Sequence, residues 1–123
     1  MDLKLWTVEY VKTRDVLYST LRDIREEADF VTFTFTNKKH TYYIRENLSK
    51  ETLKLLSSDQ HQTIVCLNTK KNLQFLMDHW DDFRAYPQAG LFFVNIRHHL
   101  KWGINPATHS RIADPANLSA GLQ

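Results

Sequence analysis

The spacing of hydrophobic positions changes along the chain, and each change predicts a different element. Leu17, Leu21 and Ile24 recur at three- and four-residue spacing, as they would on one face of a helix. With Thr13 as its N-cap, this pattern predicts a first helix from residue 13 to about residue 28. In residues 30–36, Val31, Phe33 and Phe35 then alternate with three threonines, which predicts a half-buried strand.

The next segments predict a hairpin and a short helix. Residues 37–39 have turn chemistry, and residues 40–46 alternate again, so the two alternating runs form a first β-hairpin. Ser49 is placed to cap a helix that continues through Leu56.

The middle of the chain predicts a buried strand followed by a crossover helix. Residues 63–67 are mostly apolar without alternation, which is typical of a central strand covered on both faces. Residues 71–84 carry an apolar stripe at helical spacing. Residues 91–96 and 100–104 form a second hairpin that turns near residues 97–99.

The predicted order is therefore helix, two strands, helix, strand, helix, two strands, helix. We expect an α+β fold with a two-layer, about five-stranded mixed sheet, two hairpins and three to four helices. The length of 123 residues and the absence of a linker predict a single domain over residues 1–123. From about Asp114 a last helix opens and stops before it could bury a face, so we expect it to be truncated or frayed.

Composition adds few constraints. The net charge of +2, from 16 basic and 14 acidic residues, is too small to indicate a nucleic-acid partner by itself. The single cysteine, Cys66, is expected to be a small buried hydrophobic residue. The first residues carry charge where a signal peptide is apolar, and no apolar run reaches the roughly 20 residues that span a bilayer. We therefore expect a cytoplasmic location and no membrane partner.

The strongest local cluster lies on the second hairpin and its exit loop. Its basic, imidazole and aromatic groups could bind an anionic partner, and an exposed tryptophan could stack on a base. The alternative for Trp102 is a core position, because Leu100, Trp102 and Ile104 share one strand face. Adjacent strand residues point to opposite faces, so the two neighbouring histidines predict no metal site. The predicted binding residues are Arg97, His98, His99, Lys101, Trp102, His109 and Arg111.

Two weaker signals concern the crossover helix. Thr69, Lys70 and Lys71 stand where a buried strand leads into a helix, a place that attracts anions. The segment lacks the glycine of phosphate loops, however, and solvated lysines at a capped turn explain it better. Phe75 falls among polar residues on the face away from the apolar stripe. We expect Phe75 to be exposed and to mark a contact with a second copy or another protein.

Three function hypotheses follow. The leading one is a non-enzymatic module that binds a protein partner, a second copy or a ligand. The second is a nucleic-acid binder that uses Lys38, Lys39 and the basic second hairpin, which the small net charge disfavours. The third is a small enzyme with a pocket formed by His109 and the hydroxyl of Tyr42 or Tyr43. No catalytic residue, metal ligand or cofactor is assigned.

Overall fold

The structure is a computed structural model that describes residues 1–112. It shows an α+β fold, in which the described residues form one six-stranded mixed sheet and five helices. The elements are α1 Leu3–Asp15, β1 Leu21–Glu26, β2 Phe30–Phe35, β3 Lys39–Ile44, α2 Lys50–Leu53, β4 His61–Leu67, α3 Lys70–Asp78, α4 Trp80–Arg84, β5 Ala89–Asn95, β6 Leu100–Ile104 and α5 Pro106–Ile112.

The strands lie in the sheet in the order in which they occur along the chain. β1, β2 and β3 form an antiparallel meander, β3, β4 and β5 are parallel to one another, and β6 returns antiparallel to β5. Both predicted hairpins are confirmed as β2–β3 and β5–β6. β4 lies inside the sheet and is buried over most of its length, as the sequence predicts.

Helices cover both faces of the sheet, so the molecule has three layers where the sequence predicts two. On one face α1 packs Leu3, Trp6 and Val11 onto the sheet. On the other face α3 and α4 contribute Leu76 and Phe83 to a second core. Neighbouring residues of β4 alternate between these cores, because successive strand side chains point to opposite faces.

The predicted first helix is wrong. The helix begins at Leu3, where Asp2 caps it by accepting the Leu5 N–H at 2.8 Å, and it ends at Asp15. Leu21 and Ile24 instead belong to β1. A β-bulge between Leu21 and Asp23 inserts one extra residue, so Leu21 and Ile24 face the same core although they are three positions apart. Helical spacing and a bulged strand therefore gave the same pattern.

The predicted crossover helix is present in two pieces. The chain leaves helical geometry at His79, which has φ −116° and ψ 24°, and α4 begins at the next residue. The short helix expected after Ser49 is also present, although it ends at Leu53. The expected helix from about residue 114 lies outside the described residues. Within residues 1–112 no helix has both the length and the apolar character needed to span a bilayer.

Candidate functional site

A cleft of about 410 Å³ opens where the end of α1 faces the β2–β3 hairpin. Apolar atoms of Val11 and Phe35 lie among its walls. We call it the Arg14 cleft after a residue at its rim. Its titratable and aromatic polar side chains are Arg14, Asp15, Tyr18, Lys38, His40 and Tyr42.

Asp15 fixes the loop that forms one wall of the cleft. Its carboxylate accepts hydrogen bonds from the Thr20 N–H (3.1 Å), the Thr20 hydroxyl (2.7 Å) and the Leu21 N–H (2.9 Å). The Thr20 hydroxyl bond is the largest of the interactions that lower the pKa of Asp15, so this carboxylate stays ionised. Its oxygens are occupied by the chain's own donors.

The loop between α1 and β1 is further held by backbone contacts. The N–H groups of Tyr18 and Ser19 both donate to the Asp15 carbonyl, at 3.0 and 2.7 Å. Ser19 has φ 51°, a left-handed conformation that a non-glycine residue adopts only when its surroundings hold it there. The loop therefore presents its side chains from a defined backbone rather than a free one.

Two cations reach the cleft from different elements. Arg14 comes from the last turn of α1, and Lys38 comes from the β2–β3 turn, where its ammonium lies 5.9 Å from the centre of the Phe35 ring. Both residues are exposed. Neither forms an ion pair with a carboxylate of residues 1–112. Their charges are therefore available to an anion.

The inner end of the cleft is formed by a half-buried imidazole. His40 Nε2 lies 2.8 Å from the Thr63 hydroxyl, and the His40 ring stacks on Tyr42 with a 4.5 Å centroid distance. Burial lowers the pKa of His40 to about 4, and the nearby cations Lys38 and Arg14 and the ring of His61 lower it in the same direction. His40 is therefore neutral near pH 7.

Tyr42 is buried beside it. Burial raises the pKa of Tyr42 to about 12, against the opposing effect of Arg14, so the phenol keeps its proton. Tyr42 and His40 thus contribute neutral groups next to the two cations. Such an arrangement can hold an anion by charge and hydrogen bonding, but neither neutral group has a pKa near 7, where a general acid or base works best.

The predicted binding residues of the second hairpin are distributed over three places. Arg97 and His98 are exposed in the turn between β5 and β6. His99, also in the turn, borders a shallower depression of about 320 Å³ together with Tyr10, Glu9 and Arg14 of α1. Their role in binding stays a prediction.

The remaining residues of that cluster lie on opposite faces of the sheet. The Lys101 ammonium lies 4.8 Å from the Phe92 ring and 5.2 Å from the Tyr10 ring, on the α1 face. Trp102 packs against the other core, 6.3 Å from Phe93. His109 of α5 lies near Trp102 and bonds through Nδ1 to the Asn105 carbonyl at 3.0 Å. Arg111 belongs to α5.

The expected face of β6 is confirmed for two of its three residues. Ile104 is buried, and Trp102 is half-buried in the core, whereas Leu100 is 63% exposed. Because His99 and the pair Trp102 and His109 lie on opposite faces, the structure does not bring them to one cavity. Of the two tyrosines expected to accompany His109, Tyr42 lies with His40, whereas Tyr43 packs against the same core as Trp102.

The residues at the start of α3 have a structural role in capping that helix. Thr69 is the N-cap and accepts the Asn72 N–H at 3.2 Å, while Lys70 and Lys71 are exposed. Asn72 is buried and bridges the chain, since its amide donates to the carbonyls of Glu46 and Leu67 and accepts the Leu48 N–H. The binding of an anion by Thr69, Lys70 and Lys71 stays a prediction.

Phe75 is not the exposed side chain that the sequence predicts. Its ring lies 4.3 Å from His79 and 6.4 Å from Phe83, and it is half-buried against the α3–α4 core. The break at His79 explains the difference, because the helical wheel of one continuous helix does not apply to α3 followed by α4. Its role in an interface stays a prediction, with less exposed surface to support it.

Sequence reasoning missed Arg14, Asp15, Tyr18 and His40 as site residues. Asp15 followed shortly by Thr20 is a local capping signal, but nothing in the spacing places positions 14 and 38 together. Cys66 is buried as expected, and burial raises the pKa of its thiol. The described residues contain no group of three or more His, Cys, Asp or Glu placed to hold a metal ion.

Comparisons with protein-family models, with curated proteins and with solved structures gave no match for this chain.

Proposed function

We propose that the chain is a non-enzymatic binding module that holds an anionic group of its ligand in the Arg14 cleft. One observation carries the proposal: Arg14 and Lys38, which have no carboxylate partner among the described residues, line one cleft of about 410 Å³. A cation at the C-terminal end of a helix is favourable by itself because of the helix dipole, so Arg14 alone would not indicate a ligand. Lys38 comes from a different element and has no such explanation.

The acid in the cleft offsets only part of this positive charge. The Asp15 carboxylate accepts three hydrogen bonds from Thr20 and Leu21 and forms no ion pair with Arg14 or Lys38, so the donors of both cations are left for an incoming anion. An arginine guanidinium can bind a carboxylate or phosphate through two parallel bonds, and a lysine adds a point charge. The neutral phenol of Tyr42 is a further donor.

The neutral state of His40 and Tyr42 favours binding over catalysis. A general base works best with a pKa near the working pH, whereas His40 and Tyr42 are moved away from neutrality in opposite directions. We propose further that this module acts in the cytoplasm.

The test uses inorganic phosphate at low ionic strength and an isotope-labelled chain. We expect saturable shifts of the backbone amides of Thr20 and Lys38 in nuclear magnetic resonance spectra. Arg14→Gln should weaken phosphate binding about tenfold, which corresponds to about 1.4 kcal/mol, because the bidentate donor is lost.

The chain offers two matched controls. Lys12 is exposed in the same last turn of α1, and Lys39 is exposed next to Lys38, but neither lines the cleft. Lys12→Gln and Lys39→Gln should each change the affinity less than about twofold, since they alter only screened surface charge. Equal weakening by Arg14→Gln and Lys12→Gln, or shifts that never saturate, would contradict the proposal.

A further inference from the structure

The loop that follows α1 exposes three consecutive large apolar side chains beside the Arg14 cleft. Val16, Leu17 and Tyr18 are 71%, 88% and 71% exposed. Among residues 1–109 only three other large apolar side chains are exposed, each to a smaller extent, namely Met1, Leu5 and Leu100. Single exposed apolar residues are ordinary, whereas adjacent ones that border a polar cleft are typical of an interaction site.

Tyr18 joins this apolar loop to the cleft, because it is both a cleft wall and a member of the exposed group. A free anion seated between Arg14 and Lys38 would leave Val16 and Leu17 in water. A ligand that covers the whole surface must therefore carry apolar groups next to its negative charge.

We infer that the ligand is a segment of another protein in which a carboxylate side chain is flanked by apolar side chains. The carboxylate enters the Arg14 cleft, and the apolar neighbours pack on Val16, Leu17 and Tyr18. This inference rests on the proposed function, since it names the class of ligand for the same cleft. Charge complementarity supports it, because the two cleft cations have no carboxylate partner in residues 1–112.

The backbone of the loop favours a protein over a bilayer as the occupant. Asp15 holds both ends of the loop through the bonds to Ser19, Thr20 and Leu21. A surface ordered before binding loses little conformational entropy when a complementary segment docks. Tyr18 also lines the concave cleft, and tyrosine and arginine are enriched among the residues that carry most of the binding energy of protein interfaces.

The experiment selects random peptides displayed on phage against the whole chain, with Leu17→Ser as counter-selection. We expect enrichment of peptides that place Asp or Glu beside Leu, Ile, Phe or Trp. The affinity of a selected synthetic peptide should fall about tenfold with Leu17→Ser and about tenfold with Arg14→Gln, as expected for residues central to an interface. Leu17 is so exposed that Leu17→Ser should leave the melting temperature unchanged.

The outcomes separate this inference from the proposed function. If phosphate binds and Leu17→Ser leaves the affinity of every selected peptide unchanged, the inference is wrong and the anion site stands. If phosphate fails to bind, the proposed function is wrong and the inference falls with it. Replacing the peptide's acidic residue by its amide should abolish the effect of Arg14→Gln, and a peptide insensitive to that replacement would overturn the inference.

Two other occupants would also overturn it. One is a bilayer, in which case the chain would sediment with vesicles of equal phosphatidylcholine and phosphatidylserine and Leu17→Ser would release it. The other is a second copy, in which case the mass in analytical ultracentrifugation would rise with concentration for the wild type and stay monomeric for Leu17→Ser. We expect neither behaviour.

Discussion

Two turns of the sheet bring basic side chains toward α1, and they do so to different extents. The β2–β3 turn places Lys38 opposite Arg14 in a cleft whose acid, Asp15, is already satisfied by its own loop. The β5–β6 turn is richer in basic residues along the chain, yet of that turn only His99 borders the depression beside α1. That depression also contains Glu9, for which no ion pair with a basic group of residues 1–109 is found.

The difference arises because residues that are adjacent in a strand point to opposite faces of the sheet. Lys101 and Trp102 are neighbours in β6, so one points toward α1 and the other toward the opposite core. Arg14 and Lys38 are distant in sequence and line the same cleft, because α1 ends where the first hairpin turns. A charge cluster in sequence is therefore weaker support for a site than two cations that converge from different elements.

The largest effect expected from the comparison of the two turns is a loss of stability on substitution of Trp102. We expect Trp102→Ala to lower the free energy of unfolding by about 3 kcal/mol, because it removes a large ring packed on Phe93 in the core. Its affinity for phosphate should equal that of the wild type. Chemical denaturation measures the first quantity and the phosphate titration measures the second.

Leu100→Ala is the matched control for that experiment. Leu100 lies on the same strand face but is 63% exposed, so its removal should change the free energy of unfolding by less than about 0.5 kcal/mol. If Trp102→Ala keeps the stability and loses ligand binding, the second hairpin is the binding surface and the comparison is reversed.

Much of the fold could be predicted from the sequence because strand patterns are local. The alternation of residues 30–36 and the apolar run at residues 63–67 depend on which faces are buried, and both strands are present. β1 could not be predicted, since its bulge gives Leu21 and Ile24 the spacing of a helix. The same spacing placed Leu17 on the apolar face of the predicted helix, yet Leu17 is among the most exposed apolar side chains of the described residues.

The cleft was harder to predict for a physical reason. His40 is recognisable only when its neighbours are known, because its pKa is lowered by burial and by the nearby cations Lys38 and Arg14, and its ring contacts Tyr42 and Thr63. The residues predicted on the second hairpin were chosen by proximity along the chain, and that criterion cannot tell the two faces of β6 apart.

An intermediate effect is expected from His40, through the pH dependence of stability. The pKa of His40 is about 4 in the folded chain and near its ordinary 6.5 when unfolded. Between these values the unfolded chain binds a proton that the folded chain does not, so the free energy of unfolding falls as the pH is lowered from 6.5 to 4. The slope from this group is at most about 1.4 kcal/mol for each pH unit, and it vanishes below about pH 4.

Denaturation of wild type and His40→Gln at a series of pH values measures this slope. Carboxylates also titrate in the window, but they contribute equally to both chains, so the difference in slope isolates His40. The wild type should lose stability more steeply on acidification. If the free energy of unfolding depends on pH in the same way in both chains, His40 is solvated like an exposed histidine. The inner end of the cleft would then not be the buried imidazole environment seen in the structure.

The smallest effect should come from Arg97, and it decides between the two turns most directly. Arg97→Gln removes the same charge as Arg14→Gln, but Arg97 is exposed in the β5–β6 turn and lines neither cavity. We expect its free energy of unfolding to stay within about 0.5 kcal/mol of the wild type, as for other surface positions.

The phosphate affinity of Arg97→Gln should stay within about twofold of the wild type, because the charge of Arg97 is screened at a distance from the cleft. The two variants share their net charge, so any general electrostatic attraction of phosphate is lost equally from both. If Arg97→Gln weakens binding as much as Arg14→Gln, the Arg14 cleft is not the specific phosphate site. The basic second hairpin would then be the better candidate for the binding surface.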